Sequence, residues 1–467
     1  MAISSEPAQN AAVSSATRNY RRPLAIVTTL FFMWGFLTSL NDILVPHLKS
    51  IFDLNYTYVM LVQCAFFSAY FLFSAPWSKI VNTIGYQKTL VAGLLIMGTG
   101  AILFVPAASA PSFPLFLMAL MILAAGITGL QVTANPYVIG LGKPETASSR
   151  LNLTQAFNSL GTTVAPTLGG LLILSAAPLA IEQLRQLSPQ ALTAYRLQQA
   201  ASVKMPYIII SVTLVLLAVS IARAKLPKIE GAAGRLGEKI DDSIWKHPNL
   251  LFGAIGIFAY VGAEVSIGSF LVNYLGQPNI AGLPPQTAAR YVSFYWGGAM
   301  VGRFIGAGVL QRVKTGYLLA GCAVCSASLV TVSMLTNGHL AMWSMIAVGL
   351  FNSIMFPSIF ALGVAELGPL TGNGSGLMNM AIVGGAIIPL IQGAMADSFG
   401  IHHAFFLPVI CYLYILFYAL RGSTPNSERY KHCLEIFYAI GGSTPDSKRY
   451  AHCLEIVKRS MGNATRR

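Results

Sequence analysis

Apolar runs of roughly twenty residues, separated by short polar turns, recur along the whole chain. Twelve can be marked, at about 23–46, 58–80, 88–108, 113–141, 151–175, 205–224, 249–275, 289–311, 317–336, 340–363, 374–395 and 402–420. Each is long enough to cross a hydrocarbon core about 30 Å thick. With no water there to satisfy backbone groups, such runs fold as helices, and the sequence lacks the short alternating segments of a membrane β-barrel. The pattern predicts an all-α membrane protein with twelve transmembrane helices.

The turns also divide the chain. A basic stretch near 225–248 separates six runs from six, and "TLVAG" at 89–93 has a faint echo in "YLLAG" at 317–321. The expected organisation is a disordered cytoplasmic tail over 1–22, a six-helix bundle over 23–224, a cytoplasmic loop over 225–248, a second bundle over 249–420 and a cytoplasmic tail over 421–467. Transporters are often built from repeated halves with the substrate site between them. A polar insert at 176–204 predicts an external loop with a short amphipathic helix. The first twenty residues lack the apolar core of a cleavable signal peptide. In the tail, 418–437 is followed at once by 438–457, identical at fourteen of twenty aligned positions. Two copies fall short of a solenoid, and the paired His432–Cys433 and His452–Cys453 lack zinc-site spacing. The segment reads as a dispensable tandem duplication.

Composition and charge sharpen this picture. Only 10% of the 467 residues are charged and 55% are hydrophobic, against about 25% charged in a soluble domain. Arg18, Arg21 and Arg22 precede the first run, and Lys79, Lys88, Lys143, Arg150, Arg312 and Lys314 sit in or beside even-numbered turns. The positive-inside rule then places both termini and the central loop in the cytoplasm. Much of the +14 net charge is a topology signal rather than a nucleic-acid surface. Cys322 and Cys325 form a CxxC inside an apolar run, where packing outweighs a redox or metal pair. The sequence contains no GxxxxGK[ST], HExxH or GxSxG, so neither a pump with its own ATPase nor an intramembrane protease is expected, and no metal.

Candidate chemistry lies in polar residues within the runs. A charged side chain at the bilayer centre costs about 2.5–3.5 kcal/mol on insertion scales, so an acid there is rare without a use. Asp42 shares a helical face with Thr38 and Trp34, beside Asn41. Sugars need that mixture of groups, with hydroxyls to be paired and C–H faces to be stacked. In the fourth run Thr128, Gln131 and Asn135 lie on one face, serving either as ligand contacts or as bonds between helices. The fifth places Gln155, Asn158 and Thr162 together, which points to a polar cavity. Glu264, one turn after Tyr260, is the other acid well inside a run. Asn273 lies about 180° from it on a straight helix, so the two face one cavity only if the helix breaks near Gly268. Trp296, Asn352, Phe356 and Asn379 are further candidates, each with packing as its plainer role.

These motifs carry a resemblance. "FFMWGF", "LNDIL", "ANPY", "SSRLNLTQAFNSLGT", "SPQALTAYR" with "VKMPY", and "YVGAE" together resemble the fucose/glucose/galactose–proton symporter family of the major facilitator superfamily, over roughly 20–420. The resemblance implies two six-helix bundles around a central cavity, alternating access, and uptake of a monosaccharide with a proton in a bacterial inner membrane. The proton is the coupling ion and no cofactor is implied; the partners are a sugar, a proton and the lipid bilayer, and the unit is a monomer. Asp42 matches the family's proton-coupling acid on the first helix, with Glu264 binding sugar or sharing the coupling. Gln131 stands where the fucose symporter has a second acid, and Glu264 where it has a glutamine, a pattern similar to the glucose/galactose branch. Gln155 and Asn158 match the family's amide pair. Between the second and third runs the superfamily's loop motif is eroded, with Ser78 and Thr83 where many members have a Gly and a basic residue. The residues leave open a passive uniporter, an exporter or a non-transporting sensor, and fucose, N-acetylglucosamine or a disaccharide as substrate.

Overall fold

The computed structural model describes residues 20–52, 56–173, 187–224, 226–227 and 243–425. Residues 426–467, which hold most of the duplicated tail segment, and residues 1–19 lie outside them, as do the side chains of residues 40–51. Twelve helical spans fill the twelve apolar runs. They are α1 (Arg21–Phe52), α2 (Tyr56–Ile84), α3 (Tyr86–Ser109), α4 (Phe113–Gly140), α5 (Ala147–Ile173), α7 (Lys204–Arg223), α8 (Pro248–Leu275), α9 (Pro285–Val309) and α10 (Thr315–Leu335), followed by three that are each built from two pieces. The tenth span is α11 (Gly338–Asn352) and α12 (Met355–Gly363); the eleventh is α13 (Thr371–Met380) and α14 (Gly384–Phe399); the twelfth is α15 (Ile401–Ala404) and α16 (Phe406–Phe417). The polar insert supplies α6 (Pro189–Ser202), whose first turn is capped by the Ser188 hydroxyl accepting from the Ala191 N–H at 3.3 Å.

Among the described residues nine segments are long and apolar enough to cross a membrane by length and composition. Helices α2, α5 and α9 fall outside the nine, and in α5 and α9 Ser, Thr, Asn, Gln, Gly and Arg dilute the apolar content. Such residues are tolerable only where they face protein or a cavity, and both helices do line the seam between the halves. In the first half α1 packs on α5, and α3 on α4 and α7; in the second α8 packs on α12, α14 and α16, and α9 on α11. Small residues permit the close approaches that lipid-embedded helices rely on. A Cβ at Gly100 would stand 2.6 Å from Leu123 Cα, so α3 and α4 can touch only with glycine there.

The seam is formed by α5 on α9 and α12, and by α13 on α2 and α4. Its hydrogen bonds cluster towards one end of the bundle, the end whose turns carry Lys79, Lys88, Lys143, Arg312 and Lys314 and which is here termed the basic end. Asn82 on α2 donates to Asn373 Oδ1 on α13 at 2.6 Å, and Ser375 to the Val132 carbonyl on α4 at 2.7 Å. Ser149 on α5 donates to the Ala307 carbonyl at 2.6 Å, Asn152 to that of Arg303 at 2.7 Å, and Thr315 to Ser148 Oγ at 3.0 Å. Gly376 lets α13 lie against α2, since a Cβ there would meet Ser78 Cβ at 2.7 Å. The basic end is sealed.

Candidate functional site

The tenth span breaks at Ser353 and Ile354, between α11 and α12. A break inside lipid frees backbone carbonyls that must find donors, and here they find Tyr260 and Arg303. Tyr260 on α8 donates to the Asn352 carbonyl at 3.0 Å and to Glu264 Oε1 at 2.7 Å. Arg303 on α9 donates through Nε to the Ser353 carbonyl at 3.2 Å, while its Nη2 stands 3.9 Å from Glu264 Oε1. The Asn352 amide donates to Tyr295 Oη at 2.9 Å, and Tyr295 to the Glu264 carbonyl at 3.3 Å. Arg303 Nη1 also meets Ser159 Oγ on α5, in the other half. The Arg303 and Glu264 side chains are 13% and 12% exposed. A charge so placed is tolerable only when paired and hydrogen-bonded, and each has the other. The cluster holds a carboxylate at a seam, ringed by phenols, an amide and a guanidinium.

The amides expected on the first half are buried, and part of their hydrogen-bonding capacity is already engaged within that half. Gln131 donates to Tyr70 Oη at 2.9 Å, and Asn158 to the Phe31 carbonyl on α1 at 3.0 Å. Gln155 is buried on the same face of α5 as Asn158. Trp34 is buried with its ring against Phe31, centroids 4.2 Å apart, and the Thr38 hydroxyl donates to its own helix at the Trp34 carbonyl. Thr128 and Thr162 likewise bond within their helices. Asn379 donates to the Ser375 carbonyl at 2.8 Å and keeps Oδ1 without a protein partner, as does Asn135 with both amide atoms. Phe356 stacks on Phe360, and Trp296 is partly exposed and packs on Gly268. Asn41 and Asp42 fall on α1, with side chains outside the described residues.

Asn273 requires a correction. Helix α8 runs unbroken through Gly268, so Asn273 stays on the far face from Glu264 and is exposed. The condition for a shared cavity, a break near Gly268, is not met. Sequence reasoning also missed Arg303, Tyr295, Tyr70 and Ser159. A signal for Arg303 was present in "MVGRFIGAG": a base well inside an apolar run is as costly as an acid.

The model of the Major Facilitator Superfamily matches residues 26–388. The chain belongs to that superfamily. It is 52% identical to a Brucella abortus protein named "Glucose/galactose transporter", over 88% of this chain and 96% of that one. It is 33% identical to the Escherichia coli "L-fucose-proton symporter", over 88% of this chain and 95% of that one. Among solved structures, FucP in what its title calls the outward conformation superposes with a TM-score of 0.81 at 32% identity, covering 87% of this chain and all of that one. The superfamily is one of transporters rather than enzymes, and the chain is a multi-pass membrane protein.

Proposed function

We propose that the protein is a proton-coupled importer of a monosaccharide, glucose or galactose, working by alternating access. The observation that carries this is the 52% identity to a glucose/galactose transporter across 96% of that relative's length. The proton partner follows the L-fucose-proton symporter relative. The site fits a sugar, whose hydroxyls need donors and acceptors at fixed places: Glu264 accepts, Gln131, Gln155, Asn158 and Asn379 orient, Trp34 and Thr38 contribute from α1, and Asn41 and the proton carrier Asp42 are assigned on the family resemblance. Phe356 supplies an apolar face.

By the positive-inside rule the basic end is cytoplasmic, with both termini and the 225–248 loop on that side of a bacterial inner membrane. The bundles run over 23–224 and 249–420, between tails at 1–22 and 421–467, and the working unit is one chain. With the halves bridged at that end, the reading is an outward-facing state, in line with the match to FucP in the outward conformation. Loading sugar and proton neutralises and fills the site, and the difference in their binding to the two facing states drives the switch.

The test is sugar-induced alkalinisation outside de-energised cells expressing the protein, with glucose, galactose, fucose, N-acetylglucosamine and sucrose in turn. A pH rise with glucose or galactose supports the assignment. Entry of labelled sugar with no pH rise would make the protein a uniporter and remove Asp42 from the mechanism.

A further inference from the structure

Arg303 touches three elements. Its Nε is fixed to the Ser353 carbonyl at the break in the tenth span, 3.2 Å away. Its Nη2 faces Glu264 at 3.9 Å, and its Nη1 crosses the seam to Ser159. Its own carbonyl accepts from Asn152 of the same opposing helix at 2.7 Å. A guanidinium is a rigid plane of donors, so with Nε as the pivot, movement at one end is transmitted to the other. The Glu264 contact is the longest of the set and the one a ligand hydroxyl can most easily replace. Among the described residues, the titratable groups around Glu264 besides Arg303 include the phenols of Tyr260, Tyr295 and Tyr412.

We propose that Arg303 is a positioning residue that links occupancy of Glu264 to the seam, holding the basic end shut through Ser159 until a sugar hydroxyl takes the carboxylate. Before sugar arrives, Glu264 holds the guanidinium in the orientation that reaches Ser159. A hydroxyl donated to Glu264 competes with Nη2, the plane rotates about Nε, and Nη1 leaves Ser159. The contact between α5 and α9 then loses its one charge-assisted bond, and the remaining seam bonds are neutral and part more readily. This rests on the reading of the protein as a sugar carrier and names the device that makes opening conditional on cargo.

The experiment uses full-length protein in proteoliposomes, with D-glucose and D-galactose as probes, reading KM, maximal rate and the proton leak without sugar. Ser159→Ala removes the cross-seam partner and leaves the Glu264 side intact: KM stays within about twofold while the leak rises about tenfold, the scale of one hydrogen bond to a charged group. Arg303→Lys keeps the charge but presents a single point that cannot serve both ends, so it reproduces the leak with KM within about threefold. Arg303→Gln also removes the group that competes with the sugar for Glu264, so it leaks without a rise in KM. Loss of packing alone would lower rate and stability together without separating KM from leak. If wild type transports and both Ser159→Ala and Arg303→Lys leak no more than it does, the proposal is overturned. If wild type moves neither sugar, the sugar-carrier reading fails first, and this proposal with it.

Discussion

Tyr260→Phe removes one oxygen from the site and leaves a ring of almost the same volume in a place that is 1% exposed. The lost hydroxyl has two acceptors, Glu264 Oε1 at 2.7 Å and the Asn352 carbonyl at 3.0 Å. In soluble proteins a hydrogen bond to a charged group contributes about 1.5–3 kcal/mol. Bonds between membrane helices average only about 0.6 kcal/mol, with a maximum near 1.7. The carboxylate keeps Arg303 nearby, so the upper membrane value applies, about 1.5 kcal/mol or about tenfold in binding. If Glu264 reads a sugar hydroxyl from the place Tyr260 holds it, KM for glucose or galactose rises about tenfold, with maximal rate changed by less than about threefold. Initial-rate uptake in proteoliposomes measures both. An unchanged KM in a well-folded variant that still transports would refute the role given to Glu264, because the carboxylate would have lost its nearest donor without effect.

Four other outcomes can be checked. Asp42→Asn is expected to abolish uphill accumulation while exchange of labelled sugar across the membrane persists; full accumulation would clear Asp42 of proton carriage. Asn373→Ala removes the acceptor of Asn82 and loosens the seal by about 1 kcal/mol, or about fivefold in the population open at the basic end, read as faster alkylation of a cysteine introduced at Ser375. Gly376→Val must push α13 from α2, where even a Cβ would lie 2.7 Å from Ser78, so it should trap the protein with the basic end open and stop uptake; wild-type rates would contradict the sealed geometry. Excision of 438–457 should leave uptake kinetics unchanged, since a single copy of the repeated segment remains.

The spans were legible because a twenty-residue apolar run in lipid has one backbone solution, and every marked run carries a helix. Glu264 with Tyr260 was legible too, since residues four apart share a helix face. The break in the tenth span was not read, although Pro357 signals it: proline has no N–H for the Ser353 carbonyl four residues earlier, and its ring crowds that carbonyl. What sustains the break is tertiary: a phenol from α8 and a guanidinium from α9 arrive to take the freed carbonyls. Asn158 illustrates the opposite limit. Its place on a polar face was correctly read, but the face does not say that the amide hydrogen goes to Phe31 of α1. Asn273 could share a cavity with Glu264 only across a break near Gly268, and a lone glycine does not by itself break a helix that packs on both sides.

The seal at the basic end has an electrical consequence. Asn82, Asn373, Ser375, Ser149, Asn152 and Thr315 are all neutral, and their partners are amides, hydroxyls or backbone carbonyls. Parting these groups moves no charge through the membrane field. An elementary charge crossing that field is worth about 2.3 kcal/mol per 100 mV, so a latch of ions would have made opening voltage-dependent in its own right. With these dipolar contacts, the sensitivity of transport to membrane potential is left, on the proposed assignment, to Asp42, Glu264, Arg303 and the coupling proton. Apart from the Arg303 guanidinium, the gate is blind to voltage, and the cargo site carries that dependence.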